Sequence, residues 1–384
     1  MTKEDHTKFI GREYYLNILK ENLENIKRGI GSNLALIGPK NIGKSFLLKE
    51  FVYSIKDKAI VPVYIDLERA AISPEDFCLN IISNTCFWFK SNRQEEYENY
   101  KKIDFLLKLD LGESGKYVKD LRTELEKIKP DHKYLVELAF NFPNILAKQE
   151  NKKVLLIIDE FQNILDLNNY EKIKNIMAIF NSLSLSNVHF IVAGSAVEQM
   201  KSICKNFKIE NIGYLDFAAT KKLILSIVNK ISDEEIDRIF KLSLGHPYFI
   251  IAICRRYNEV KDVNKAFIIE TLSKQGLIYN SCNQLYNDSL NRARGRTLLI
   301  SILNSLAEED GLRLSEISRK IYRQSPVTKN LLRRLIDVDL LVFKDGKYYF
   351  ADPVLKFWLK NVLHGYEFDY ITSDMLEKLV KEIE

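Results

Sequence analysis

The sequence predicts an α/β protein, with a parallel sheet covered on both faces by helices and two helix-rich segments after it. Three observations carry this. Short apolar runs, "NLALIG" (33–38), "AIVPVYIDL" (59–67), "VLLIIDE" (154–160) and "VHFIVAG" (188–194), alternate with segments of helical spacing. The strand signal then stops near residue 216. It returns once, as "LVFKDGKYYFAD", two alternating runs about Asp345-Gly346, the strongest short hairpin signal.

Taken in order, "EYYLNILKENLENIKRG" (13–29) has helical spacing, and 33–38 is a strand ended by glycine. Helical spacing resumes in "IGKSFLLKEFVYSI", and 59–67 is the second strand. "SPEDFCLNIISNTCFWF" reads as a helix; the charged stretch 90–130 reads as a helical insertion or lid with a solvated face. A helix over 132–149 leads into the third strand, and 207–215 is a weaker strand candidate. Residues 216–290 read as three or four short helices. Three helices (297–307, "RLSEISRKI" and "PVTKNLLRRLIDVDLL") followed by the hairpin form the pattern of a winged helix-turn-helix, and 366–384 is a terminal helix. The expected division is 1–215 for the sheet domain, 216–290 for a helical lid, 291–365 for the winged helix, and a tail.

Composition narrows the classes. The 384 residues exceed what one core organises, and 46% hydrophobic with 28% charged residues is ordinary for a soluble globular protein. Lys and Arg exceed Asp and Glu by 57 to 52, a bias that permits nucleic-acid contact without demanding it. Cys78, Cys86, Cys204, Cys254 and Cys282 form no C-x-x-C pair and read as reduced, buried thiols. The polar opening "MTKEDHTKFI" is not a leader, and no apolar run reaches bilayer length. A cytoplasmic protein with no membrane partner is therefore expected.

The chemistry begins at "GPKNIGKS" (38–45), which matches G-x-x-x-x-G-K-[ST], the Walker A pattern, between a strand and a helix. Gly38 permits the turn, and Gly43 lets main-chain amides approach a phosphate. The helix opening near Lys44 aims its positive end at the same place. Lys44 is expected to reach the β- and γ-phosphates, and Ser45 to coordinate Mg²⁺. Gly38, Pro39, Lys40, Asn41, Ile42, Gly43, Lys44, Ser45 and Phe46 together form the expected nucleotide cradle. Asp159 ends an apolar strand, where the magnesium-associated Walker B acid of such a site stands. Glu160 follows and, by strand alternation, points the other way, as a base for an attacking water. The alternative is that both acids cap the next helix. Ser195, in "VAGSAVEQM", is a candidate to hold that water or sense the γ-phosphate; a plain small-residue turn is the alternative. Lys44, Glu160 and Ser195 are the expected catalytic set. No N-K-x-D guanine-reading tetrapeptide occurs, so ATP is favoured.

"FIGREYYLNIL", "LIIDEFQNI" and "SLGHPYFI", in this order around the phosphate loop, resemble the archaeal-type P-loop ATPases of the AAA+/STAND group, which carry a C-terminal winged helix. The resemblance covers roughly residues 9–360. It implies that the Phe9–Glu13 segment, with Gly11 and Arg12 at the matching positions, lies beside the adenine. It implies that Pro247 packs near the base or ribose. It also implies that His246 faces the phosphates as a second sensor, against the alternative of a helix-capping histidine. One departure is clear: no arginine occurs between Arg122 and Arg238, where ring-forming members place one; Lys201, Lys205 and Lys208 stand there instead. A slow or partner-stimulated switch ATPase fits this better than a hexameric motor.

In the C-terminal module the third helix would offer Lys329, Arg333 and Arg334 to DNA, with Lys344 on the wing. Against this, 297–360 holds 11 basic and 8 acidic residues, with Asp337, Asp339 and Asp345 near the would-be DNA face. Winged helices also bind proteins and cover ATPase sites. The expected function is a Mg-ATP-dependent conformational switch coupled to the winged helix. Expected partners are ATP and ADP, DNA or protein through the winged helix, and further copies of the chain. The alternatives are a DNA- or protein-binding regulator with structural nucleotide and negligible hydrolysis, and a toxin–antitoxin or defence component.

Overall fold

A computed structural model describes residues 10–70, 73–91, 97–183, 185–369 and 371–383; Phe9 of the adenine-side segment lies outside them. Five strands, β1 (Leu34–Ile37), β2 (Ile60–Asp66), β3 (Lys153–Asp159), β4 (Val188–Gly194) and β5 (Lys208–Asn211), pair in the order β2-β3-β4-β1-β5. Every pairing is parallel. Alternation along these strands feeds two separate cores. Leu34, Leu36, Leu155 and Ile157 pack with helices Glu13–Lys27 and Lys44–Ser54 on one face. Ala35, Ile37, Leu156 and Ile158 pack with helices Pro74–Lys90 and His132–Gln149 on the other. Burial on both sides is why the runs are continuously apolar.

Among its described residues, the 90–130 stretch holds short helical pieces, Tyr97–Tyr100, Ile103–Leu106 and Gly115–Leu125. They bury Tyr100, Leu106, Val118 and Leu121 into the second core, and Arg122 pairs with Asp104 and Glu126 outside it.

After β5 come helices Phe217–Leu225, Asp233–Ser243, Pro247–Val260, Val263–Leu272 and Leu277–Ala293. Asp216, Ser232 and Asp262 cap three of them through side-chain oxygens, and Ser232 forms a full capping box with Glu235. Helices Arg296–Glu308, Leu314–Lys320 and Ser325–Asp337 lead to antiparallel β6 (Leu341–Lys344) and β7 (Lys347–Phe350), then helices Pro353–Leu363 and Ser373–Ile383. Asp345 (φ 52°) and Gly346 (φ 76°) both take the left-handed conformation that a two-residue hairpin requires. Tyr348, Phe350 and Trp358 are buried. One hydrophobic cluster runs from Leu215 to Leu379, so the helices after β5 and the hairpin module share a core. All five cysteines are buried and free. Among the described residues, no helix is long and apolar enough to cross a membrane.

Candidate functional site

Parallel pairing brings the C-terminal ends of β1, β4 and β3 to one edge of the sheet, since Ile37 lies opposite Gly194 and Ile158 opposite Val192. Ligands of open parallel sheets bind at this edge. Here the chain leaves β1 at Gly38. A Cβ at this position would stand 2.2 Å from the Ile212 carbonyl oxygen, so only glycine fits. Gly43 has φ +101°, and helix Lys44–Ser54 opens directly after it with no side-chain cap. Its first-turn amides are thus offered to an external acceptor.

Lys44 is buried, and two of its N–H donors go to the Gly38 and Pro39 carbonyls at 2.8 Å each. Burial lowers its pKa, while Glu160 and Asp159 oppose that shift. Asp159 is 1% exposed. It accepts the Tyr64 hydroxyl at 2.9 Å and the Glu160 amide at 3.0 Å, and the Ser45 hydroxyl lies near enough to favour its charged form. Burial raises its pKa, and the Ser45 hydroxyl partly offsets this. A buried carboxylate beside the Walker-type hydroxyl suits a magnesium ion that takes its other ligands from phosphate and water. The donor set therefore fits the expected Mg²⁺ through Ser45 and Asp159.

Glu160 departs from the sequence reading in how it is aimed. The strand ends at Asp159, and Glu160 takes a left-handed conformation (φ 50°) at the start of the 3-10 turn Phe161–Asn169. A local turn, not strand alternation, swings its carboxylate toward the end of β4. There Ser195 Oγ donates to Glu160 Oε2 at 2.7 Å, and Gln162 Nε2 donates to the same oxygen. Gln162 also reaches Ser195 Oγ at 3.3 Å.

Arg12 and His246 both meet the phosphate loop's main chain. Arg12 Nη2 donates to the Ile42 carbonyl at 3.0 Å and to the Gly213 carbonyl at 2.9 Å, tying the loop to the segment after β5. Gly11 (φ +75°) lies against Leu215 and Ala219. His246 precedes helix Pro247–Val260, of which Pro247 is the first residue, and stacks on Phe249 at 4.1 Å. Its Nε2–H donates to the Lys40 carbonyl at 3.1 Å. Burial, assisted by Lys44 and Arg12, lowers its pKa to about 4, so the ring is neutral near pH 7. With Nε2 carrying the proton, Nδ1 is an acceptor, buried and without a partner among the described residues.

The loop's outer face is held as well. Lys40 pairs with Glu68 at 3.5 Å and Asp288 at 3.3 Å, and Asn41 Nδ2 donates to Ser281 Oγ at 3.0 Å. Ser281 and Asp288 lie on helix Leu277–Ala293. A cavity of about 580 Å³ opens between these parts. Pro39, Lys40, Glu160 and Ser195 line it from the sheet edge, Tyr214 from the segment after β5, Asp288 and Arg292 from helix Leu277–Ala293, and Asp339 and Asp352 from the hairpin module.

Asp339 is the largest surprise. The sequence reading put it near a DNA face; its carboxylate instead accepts the Val197 amide at 2.7 Å, two residues beyond Ser195. The left-handed backbone at Asp339 (φ 59°) turns it inward. Arg334 is likewise spent inside, donating from Nε to the Ala293 carbonyl at 2.7 Å. Lys329 and Arg333 instead border a groove with Asn330, Phe343 and Tyr348, and Lys344 is exposed on β6. Gln162, Tyr214, Asp288, Arg292 and Asp339 were missed from the sequence. Only Gln162, inside "DEFQ", had a local signal.

Residues 9–253 match the family model described as an ATPase domain predominantly from Archaea. Among solved structures, a Walker-type ATPase of Pyrococcus abyssi is similar, with 20% identity, a TM-score of 0.65, and 93% of this chain and 97% of that chain covered. The ORC2 protein of Aeropyrum pernix, in its ADPNP-ADP complexes, is similar with 13% identity, a TM-score of 0.51, and 97% and 93% covered. At these identities the likeness is one of fold. No curated protein matched the chain.

Proposed function

Because this chain belongs to the ATPase domain family found predominantly in Archaea, we propose that it is a Mg-ATP-dependent switch of the AAA+/STAND kind whose nucleotide state sets the position of its winged-helix module. The observation that carries this is the Glu160 carboxylate, held by Ser195 and Gln162 on the cavity that also meets the phosphate loop. Glu160 orients and takes the proton of an attacking water, and Ser195 keeps its oxygen in place. Lys44 turns from the loop carbonyls to the phosphate oxygens, for which its ammonium is the stronger donor. Ser45 and Asp159 would hold magnesium, which would neutralise charge on the phosphates when bound.

The switch reading rests on how the two halves meet. The sheet cores and the core after Leu215 are separate clusters. The polar contacts that bridge them gather at the phosphate loop and at the end of β4: His246 to Lys40, Lys40 to Asp288, Asn41 to Ser281, and Asp339 to Val197. A polar, localised junction next to the nucleotide is one that a ligand can bias. A compartment in the cytoplasm and self-association stay part of this proposal. DNA contact through Lys329, Arg333 and Lys344 is a second reading, favoured by their exposed placement on one groove and wing.

Calorimetry and phosphate release test the main reading. Lys44→Ala abolishes ATP binding, whereas Glu160→Gln binds ATP and turns it over at least a hundredfold more slowly. Normal hydrolysis by Glu160→Gln would refute the base assignment, and failure of wild-type protein to bind ATP would refute the whole reading.

A further inference from the structure

Strand β6 leaves one of its edges open. Its register with β7 sets Phe343 opposite Tyr348. Tyr348 spends its amide on the Leu312 carbonyl and its carbonyl on the Gly311 amide, on the side away from β6. Phe343 and Tyr348 therefore form a non-hydrogen-bonded pair, and the main-chain N–H and C=O of Phe343 point outward from the sheet edge. Neither group has a partner among the described residues.

The side chains beside that edge are apolar at the centre and basic at the rim. Phe343 is 56% exposed, Val327 46% and Val342 44%. Pro326, Ile336, Phe343 and Tyr348 line a hollow of about 460 Å³, with the Phe343 and Tyr348 rings 4.7 Å apart. Lys329 and Arg333 border it, and Lys344 and Lys347 flank the hairpin turn. No acid lines the hollow, and none of these four cations has an ion-pair partner among the described residues. Arg333 bonds Asn330 on its own helix, at 3.1 Å. An open strand edge beside an apolar hollow is the geometry of strand addition. Lys344 repels the same edge of a second copy, and the unpaired positive charge selects an acidic strand. Duplex DNA, which the same cations would attract, offers no main-chain strand to the outward amide, and its phosphates would leave Phe343 in water.

We propose that the β6 edge binds an extended, acidic segment of a partner protein, which adds as a strand alongside β6. Main-chain bonds to Phe343 fix its register. The hollow between Ile336 and Phe343 takes one of its apolar side chains, and carboxylates on either side of that residue meet Lys329, Arg333 and Lys344. Val342, the neighbouring residue on β6, lines the nucleotide cavity, so the partner docks beside that cavity. The proposal does not rest on the nucleotide reading and is tested without nucleotide.

Random peptides of about ten residues, long enough for a full strand, are displayed on phage and selected on the full chain. Peptides that alternate acidic and apolar residues are expected to enrich. A synthetic copy of an enriched peptide should lose affinity by about tenfold or more for Phe343→Asp, and for the paired change Lys329→Glu with Arg333→Glu. N-methylation of alternate peptide amides leaves the protein wild type, and so decides the matter if a variant misfolds. One methylated set should lose binding by about tenfold or more, and the other, whose amides face away from β6, should keep it. The proposal is overturned if no acidic peptide enriches, if the variants bind as wild type does, or if both methylated sets bind equally. A duplex that binds wild type and not the variants, while no acidic peptide enriches, overturns it in favour of nucleic acid.

Discussion

Asp339→Gly probes the coupling most directly. The carboxylate accepts the Val197 amide at 2.7 Å and faces the Glu198 amide, so it caps the turn that follows Ser195. Position 339 has φ 59°, which glycine adopts without strain, so the substitution removes the contact and adds no backbone clash. Losing a capping carboxylate costs about 1–2 kcal/mol. With about 1.4 kcal/mol per tenfold, the opened arrangement becomes roughly ten times more populated. Hydrogen exchange at residues 196–203, read by mass spectrometry, should accelerate by about that factor, and ATP and ADP should then differ less in their effect there. Exchange identical to wild type would refute the coupling through Asp339.

The same contact has a pH signature. Burial, with a smaller push from Glu198, raises the Asp339 pKa from 3.8 to about 6; the two backbone amides and Arg292 oppose it. A released carboxyl returns to its ordinary value, so the docked state holds more protons between about 4 and 6. Docking is therefore strongest below this window and weakens as pH rises through about 6. Asp339→Asn keeps an acceptor that cannot titrate, and its exchange, corrected for intrinsic chemistry, should lose the dependence.

Other consequences are as direct. His246 titrates near 4 in place of 6.5, so its contribution of about 3 kcal/mol is complete above pH 6.5 and is lost as pH falls toward 4. Denaturant unfolding over that range checks it, and His246→Asn should flatten the profile. Gly38→Ala drives a Cβ to 2.2 Å from the Ile212 carbonyl and should cost about 1–3 kcal/mol in the same assay, with ATP binding reduced. If duplex DNA binds, the double change Lys329→Ala and Arg333→Ala should reduce the slope of log affinity against log salt by about 1–2. An unchanged slope removes those residues from the interface.

Much of the fold was legible because it is written locally. Helix His132–Gln149 came out residue for residue, since the Asp131 cap and apolar spacing mark its start and extent. The strands before β5 announced themselves by apolar runs that burial on both faces demands. The hairpin turn followed from Asp345-Gly346. At the site, the glycine turn from Gly38 to the helix start at Lys44 and the strand end at Asp159 were legible for a similar reason, since each is set by neighbouring residues.

What the chain could not announce is what distant segments do to one another. Glu160 is aimed by a turn and by Ser195 and Gln162, the serine from another strand end. Asp339 reads in sequence as one more acid beside a basic helix, and it faces Val197, 142 positions away. Arg292 sits in an ordinary polar helix end, and the cavity alone sets it beside the phosphate loop. Local periodicity and turn chemistry, properties of neighbouring residues, determined the sheet, the helices and the glycine turn between β1 and the helix that follows it. The packing of the post-Leu215 core over the sheet edge decided which charges share one cavity, because contact across hundreds of residues leaves no repeating signal along the chain.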